Sequence, residues 1–303
     1  AQWLSSAADS RLQVLLGGPG SGKTTAVAKQ LVERFAVGSA QDISVAMAAP
    51  TGKAADRMRQ AIESRLLTEK ATTEVIARVK EAPSITIHRL LGYSPVRRQG
   101  RFEFNSENPL PYDLVIIDEA SMLSLSMMHR LIEALRPTAE LFLVGDPEQL
   151  ASVDAGTVLA DISIAAKAEG TNLHRCTKRL TTQFRYAVGS PIEQVVKAVQ
   201  SGDADRLIEV LRPMRNSEEV VSWIDPSSKE VEDLAAFESL GFAVRRHALD
   251  VVDLAGASKY NEVLEKLGEL QLLCASRSGQ LGIAGWNRTV NQWIGTSTRK
   301  QWF

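Results

Sequence analysis

Residues 17–25, GGPGSGKTT, carry the residue types that phosphate chemistry needs. They fit G-x-x-x-x-G-K-[ST] with Gly17, Gly22, Lys23 and Thr24. Gly17, Gly18, Gly20 and Gly22 let backbone N–H groups turn inward onto phosphate oxygens, with Ser21 and Thr25 in the same segment. Lys23 supplies a point charge for the β- and γ-phosphates, and Thr24 a hydroxyl for Mg²⁺. An apolar run, LQVLL at 12–16, precedes the loop, and a helix-like run, TTAVAKQLVERF at 24–35, follows it. A helix N-terminus adds partial positive charge at the place where the anion would sit. The pattern predicts binding of a nucleoside triphosphate.

Other strand ends carry matching chemistry. VIIDEASM at 115–122 ends an apolar run in the adjacent carboxylates Asp118 and Glu119. The first can hold the hydration shell of Mg²⁺, and the second can orient and deprotonate an attacking water. LVGDPEQLASVDAG at 143–156 delivers Gly145, Asp146 and Gln149. A glutamine there can hydrogen-bond the γ-phosphate or the water. PTGKAA at 50–55 follows a strand and opens a helix, and its Thr51 hydroxyl, Gly52 amide and Lys53 charge suit a nucleic-acid phosphate. His88 could contact phosphate or stack on a base.

The elements that must position these groups alternate. Strand-like runs lie at 12–16, 43–49, 113–118 and 141–146, and helix-like runs at 24–35, 53–67, 122–135 and 157–168. The strands are apolar on both faces, as buried parallel strands are. The alternation predicts a doubly wound α/β domain, a parallel sheet with helices on both faces, whose binding crevice lies at the carboxyl ends of the strands. Residues 93–112 read as an exposed excursion with a short hairpin around Gly100. Further helices are expected at 191–200, 203–211 and 258–268, a loop with little fixed structure at 213–235, and a buried strand at 270–276.

The bulk numbers exclude several classes. A formal net charge of −1 over 303 residues gives no global nucleic-acid signature, so any DNA site must be a local patch. The length suits about two domains. Cys176 and Cys274 form no C-x-x-C pair, which indicates neither a disulfide framework nor a zinc site. His88, His129, His174 and His247 are scattered. No apolar stretch approaches about 18 residues and no signal peptide opens the chain, so a cytoplasmic setting without membrane contact is expected.

In order along the chain, GGPGSGKTT, AAPTGKAADRM (48–58), SITIHRLLG (84–92), VIIDEASM, LVGDPEQLASVDAG, TTQFRY (181–186) and LLCASRSGQLGIAGWN (272–287) resemble the motifs of superfamily 1 helicases, and most closely the RecD family, the alpha-subunit type of RecBCD helicase–nucleases (exonuclease V). Stand-alone RecD-like helicases and DNA-strand-transfer relaxases share the first five. The resemblance implies two RecA-like lobes that close on ATP and reopen on hydrolysis. The implied activity is ATP-dependent 5′→3′ movement on single-stranded DNA in double-strand break processing, with RecB- and RecC-type partner subunits.

Residue by residue, Lys23 and Thr24 match the phosphate-loop lysine and the Mg²⁺ ligand, Asp118 the Mg²⁺-coordinating acid, and Glu119 the catalytic base. Gln149 matches the γ-phosphate sensor. Arg185 matches the arginine that reaches the γ-phosphate from the second lobe. Thr51, Gly52, Lys53, Thr86 and His88 match DNA-facing positions. Arg277 and Asn287 are candidates for the DNA backbone, and RRQGR at 97–101 is a basic tip that could meet DNA or a partner subunit. Gln2 fits the family's adenine-binding glutamine poorly.

The resemblance divides the chain into one motor domain at 1–172 and part of a second at 173–303. It implies a fragment without the family's N-terminal domain and last two motifs, one that binds Mg-ATP, turns it over slowly with little or no stimulation by DNA, and does not unwind duplex. Two readings from other classes stay open. One is a nucleotide-dependent binding module without useful turnover. The other is a metabolic kinase, which would not need PTGKAA or GDPEQL.

Overall fold

A computed structural model describes residues 10–36, 43–68, 71–95, 101–149, 155–182, 184–217, 220–227 and 229–298. The chain separates into two units, Ala1–Val188 and Gly189–Phe303. The first contains β1 (Leu12–Gly17), α1 (Lys23–Ala36), β2 (Val45–Ala49), α2 (Gly52–Thr68), α3 (Thr73–Glu81), β3 (Ser84–Thr86) and α4 (Ile87–Leu90). It continues with β4 (Leu114–Ile117), α5 (Leu125–Glu133), β5 (Glu140–Gly145), α6 (Val158–Ala165), α7 (Asn172–Cys176) and β6 (Thr177–Leu180).

Side-chain alternation explains the layers. Along each strand, successive residues face opposite sides of the sheet. Val14, Leu16, Ala46, Ala48, Val115, Ile117, Leu141 and Leu143 form one buried face, packed with Leu131 of α5 and Leu159 of α6. Leu15, Val45, Met47, Leu114, Ile116, Phe142 and Val144 form the other, packed with Val27 and Leu31 of α1, Ile62 and Leu66 of α2, and Val79 of α3. Burial on both faces is what an apolar run without alternation requires. The six strands run in the order β3-β2-β4-β5-β1-β6, and all pairs are parallel. This is the expected parallel α/β sheet, and every loop that carries chemistry leaves it at a strand's carboxyl end.

Short polar caps start the helices. The Thr72 hydroxyl accepts from the amide of Val75, Thr86 from Arg89, and Ser124 from Met127. Such caps satisfy N–H groups that have no partner within the helix. Ser94 and Arg101 form an isolated antiparallel bridge at the start of the 93–112 excursion, and residues 96–100, where the hairpin around Gly100 was expected, lie outside the described ones.

The expected boundary at 172/173 differs from the observed division. β6 begins at Thr177 and pairs with β1 through Val14↔Thr177 to Gly17↔Leu180, which anchors the following segment, Arg185 included, to the first unit.

The second unit holds α8 (Pro191–Gln200), α9 (Ala204–Leu211), α10 (Val231–Gly256), α11 (Tyr260–Glu269) and α12 (Ile283–Thr298). α8 packs on α9, and α10 on both α11 and α12. Two expectations fail here. Residues 270–276 form no strand. An apolar run needs a neighbouring strand to pair with, and the described residues of this unit contain none; Leu273 is 89% exposed. The described residues of 213–235 do have fixed structure. Trp223 donates its amide to Met214 O at 2.9 Å, and Asn216 donates to Trp223 O at 3.0 Å. The buried Asp233 carboxylate, on the first turn of α10, accepts from Arg215 Nε at 3.2 Å, from Arg215 Nη2, and from Asn216 Nδ2 at 2.8 Å. Among the described residues, no helix is long and apolar enough to cross a membrane.

Candidate functional site

The phosphate loop turns between β1 and α1. Gly22 has φ +87°, a left-handed conformation that a side chain would strain. Ala26 donates to Gly22 O at 3.0 Å and Ser21 to Gly18 O at 3.2 Å, so the loop runs directly into the helix. Lys23 Nζ reaches back over it and donates to Gly17 O at 2.6 Å and Gly18 O at 3.0 Å. The ammonium is therefore held at the centre of the loop. The Ser21 hydroxyl is buried with no partner among the described residues.

β4 lies two strands away and ends in the carboxylates. The Asp118 amide donates to Ala48 O of β2 at 2.9 Å, continuing the ladder past the strand end. Burial pushes the Asp118 carboxyl above the usual carboxylate range, opposed by the Glu119 amide at 2.9 Å and by the Lys23 charge. Glu119 has a left-handed backbone, φ 51° and ψ 41°. Burial raises its proton affinity, and the charges of Asp118 and Asp146 raise it further; Lys23 and Arg57 oppose them. Two carboxylates under such pressure suit a cation between them or a proton-accepting role.

β5 lies between β4 and β1. A Cβ on Gly145 would come within 2.6 Å of Leu159 Cδ2 and 3.1 Å of the Ala120 amide. Glycine there lets the β5 end lie against the turn that follows Glu119. Beyond it, the buried Asp146 shapes the loop by accepting from the Glu148 amide at 3.1 Å, and its carbonyl accepts from the Gln149 amide at 3.2 Å. Arg179 of β6 reaches Glu148 at 3.7 Å. Residues 150–154, the rest of that motif, lie outside the described residues.

These strand ends surround one cavity of about 920 Å³, lined by Gly20–Thr25, Asp118, Glu119, Gln149 and Arg185 among others. Lys23, Thr24, Asp118, Glu119, Gln149 and Arg185 thus meet within the first unit, where the sequence reading drew Arg185 from a second lobe. Gly17 and Gly18 meet the same site through Lys23.

Two groups in the cavity were missed by sequence reasoning. Phe184 is 75% exposed and donates its amide to Gly20 O at 3.0 Å, presenting an apolar ring beside the loop. The QFRY run was read for its arginine alone. Arg57 of α2 lines the same wall, and the signal available for it was its spacing of one helical turn from Lys53.

The polyanion candidates sit at the opposite edge of the sheet. β2 and β3 are neighbours with Ala49 opposite Thr86, so the PTGKAA and ITIHR segments leave adjacent strand ends. Thr51, Gly52 and Lys53 are exposed at the start of α2. Thr51 Oγ1 accepts from the Ala54 amide at 3.2 Å, which leaves its hydroxyl proton to donate. The Thr86 hydroxyl caps α4. His88 is exposed and packs edge-on against Tyr93 at 5.5 Å, with Phe102 at 6.2 Å. Arg101 is exposed. Arg277 and Asn287 are exposed in the second unit. Gln2 lies outside the described residues.

Comparisons with known proteins agree in kind with this layout. The chain is 39% identical over 292 residues to the RecBCD enzyme subunit RecD of Mycolicibacterium smegmatis, covering 95% of this chain and 48% of that protein. It is 35% identical over 285 residues to the ATP-dependent RecD2 DNA helicase of Deinococcus radiodurans, covering 93% of this chain and 30% of that protein. The chain therefore spans about half, or less, of the length of these relatives. A crystal structure of Pif1 helicase from Bacteroides in complex with ADP-AlF3 and ssDNA aligns over 73% of this chain and 50% of its own, at 19% identity and a TM-score of 0.42. The family described as AAA domain matches residues 2–155, from before β1 to the loop after β5. With just over half of its length in that match, the chain belongs to the AAA-domain family.

Proposed function

We propose that this chain is the ATPase core of a RecD-type DNA helicase, moving 5′→3′ on single-stranded DNA and working with RecB- and RecC-type subunits in double-strand break processing. The observation that carries the reading is the single cavity into which Lys23, Thr24, Asp118, Glu119, Gln149 and Arg185 all open. The second unit is read as part of a second RecA-like lobe. A metabolic kinase would share the phosphate loop but would have no use for an exposed polyanion edge at β2 and β3.

In this reading the γ-phosphoryl group is transferred to water. Glu119 accepts the proton of the attacking water, and the leaving oxygen departs on ADP. Lys23 and Arg185 offset charge on the phosphoryl oxygens, and Gln149 hydrogen-bonds the phosphate or the water. The Thr24 hydroxyl and the Asp118 carboxylate are hard oxygen donors of the kind Mg²⁺ prefers, and both open onto the cavity. When bound there, the ion screens the β- and γ-phosphate oxygens. Phe184 gives a nucleobase an apolar face.

The test is steady-state phosphate release by the full-length protein with and without single-stranded DNA, alongside labelled-ATP titration of wild type and Lys23→Ala. Release should rise with DNA. Lys23→Ala should lose about 1.5–3 kcal/mol of binding, the worth of charged hydrogen bonds. A phosphorylated small molecule as product, or turnover indifferent to DNA, would sink the helicase reading.

A further inference from the structure

α2 joins two places that the proposed function treats separately. Its first turn carries Lys53 at the polyanion edge. The next turns present Arg57, Ala61, Ser64 and Arg65 to the nucleotide cavity. These positions recur at helical spacing along one side of the helix. The other side, Ala55, Met58, Ile62 and Leu66, is buried in the core. Such a helix cannot roll without exposing that stripe, so a force on its first turn reaches the cavity as a shift of the whole element. Lys53 and Arg57 are separated by only about 6 Å of helix rise.

The strand ends reinforce this link. α2 follows directly from β2, and β2 accepts the Asp118 amide through Ala48 O at 2.9 Å. The start of α2 and the two carboxylates therefore hang from neighbouring strands. Arg57 and Glu119 line the same cavity, one from α2 and the other from the turn after β4. Lys23 is held by its loop carbonyls and Arg59 pairs with Glu63 at 3.4 Å along its own helix, while Lys29, Arg65 and Arg185 line the cavity beside Arg57. Arg57 is exposed, on a long side chain that can follow a helix movement.

We propose that Arg57 is a positioning residue that couples polynucleotide bound at the start of α2 to the Glu119 carboxylate, and so sets how strongly DNA stimulates hydrolysis. The proposal rests on the helicase reading above. A phosphate held by Thr51, Gly52 and Lys53 fixes the first turn of α2, and Arg57, one turn on, then aligns the carboxylate that receives the water proton.

The experiment compares wild type, Arg57→Ala and Arg57→Lys in phosphate release with and without single-stranded DNA, together with ATP and DNA titrations. In Arg57→Ala the ratio of the rate with DNA to the rate without it should fall by about tenfold, a typical coupling between sites. The Kd for DNA should stay within about twofold, since Thr51, Gly52 and Lys53 are untouched, while the ATP titration shows how much of any rate change is nucleotide binding. Arg57→Lys should recover part of the ratio, because it keeps the charge and loses the planar fork. An unchanged ratio in Arg57→Ala, or an equal fall in both rates, overturns the coupling while leaving the helicase reading intact. Absence of DNA stimulation in the wild type overturns both.

Discussion

The first unit buries nearly every apolar side chain of its strands, whereas the second leaves large ones in solvent. Val14, Ala46, Met47, Val115 and Ile116 are fully buried in the sheet. In the helices and loops of the second unit, Phe242 is 67% exposed, Leu264 69% and Leu273 89%. The chemistry follows the packing. Catalytic geometry tolerates errors of only about half an ångström, so such groups belong on elements whose neighbours fix them. The strand ends β1, β4 and β5 bring carboxylates, lysine and glutamine to one cavity. Arg277 and Asn287, on the loosely covered unit, meet no comparable set.

The largest expected effect breaks the chemistry of the first unit without touching its packing. Glu119→Gln should retain ATP binding and lower turnover by about 10²–10⁴-fold, the usual loss when a general base is removed. Phosphate release at saturating ATP measures it, and a normal rate would remove Glu119 from the role of base. Packing itself comes next. Phe142→Ala, in the middle of β5, should destabilise by about 3–5 kcal/mol. Leu273→Ala should change stability by less than about 0.5 kcal/mol. Urea unfolding of the two variants sets the units side by side, and equal losses would mean that Leu273 is covered in solution.

A smaller effect concerns the polar cluster around Asp233 in the second unit. Asp233→Ala strips Arg215 and Asn216 of a shared carboxylate. Limited proteolysis should then cut faster within residues 212–230 while the first unit stays intact; unchanged cleavage would argue that backbone pairing with Trp223 suffices. The smallest concerns the polyanion edge. Lys53→Ala should reduce the slope of log K against log salt for single-stranded DNA by about 0.7, one phosphate contact fewer. An unchanged slope would leave Lys53 merely solvated.

The first unit was largely legible in the sequence because its signals are local. An apolar run without alternation states that both its faces are covered, and β1, β2, β4 and β5 all read that way. The phosphate loop was equally plain, since glycine spacing encodes a backbone shape. β3 and β6 escaped notice: SIT and TKRL are three and four residues long and only partly buried, being edge strands. α10 and α12 escaped for a different reason. Their apolar residues are spread around the helix, so no clear stripe announces them. The 270–276 run misled because LQLLCAS specifies a desire for burial and not the partner that satisfies it. Arg57 offers only its spacing of one helical turn from Lys53, and what that spacing means depends on which side of α2 faces the cavity.

Glu119 carries one more lesson. Its left-handed backbone, φ 51°, is a conformation that costs a residue with a Cβ roughly 1–2 kcal/mol and glycine almost nothing. Under the proposed function, what the chain prefers at this position and what the reaction needs are different amino acids. A library sorted for expression or heat resistance would therefore tend to accumulate glycine or asparagine at 119, and its best-behaved members would be inert. Survival of glutamate there under such sorting, with no demand for turnover, would mean that the turn after β4 needs the carboxylate for its own shape.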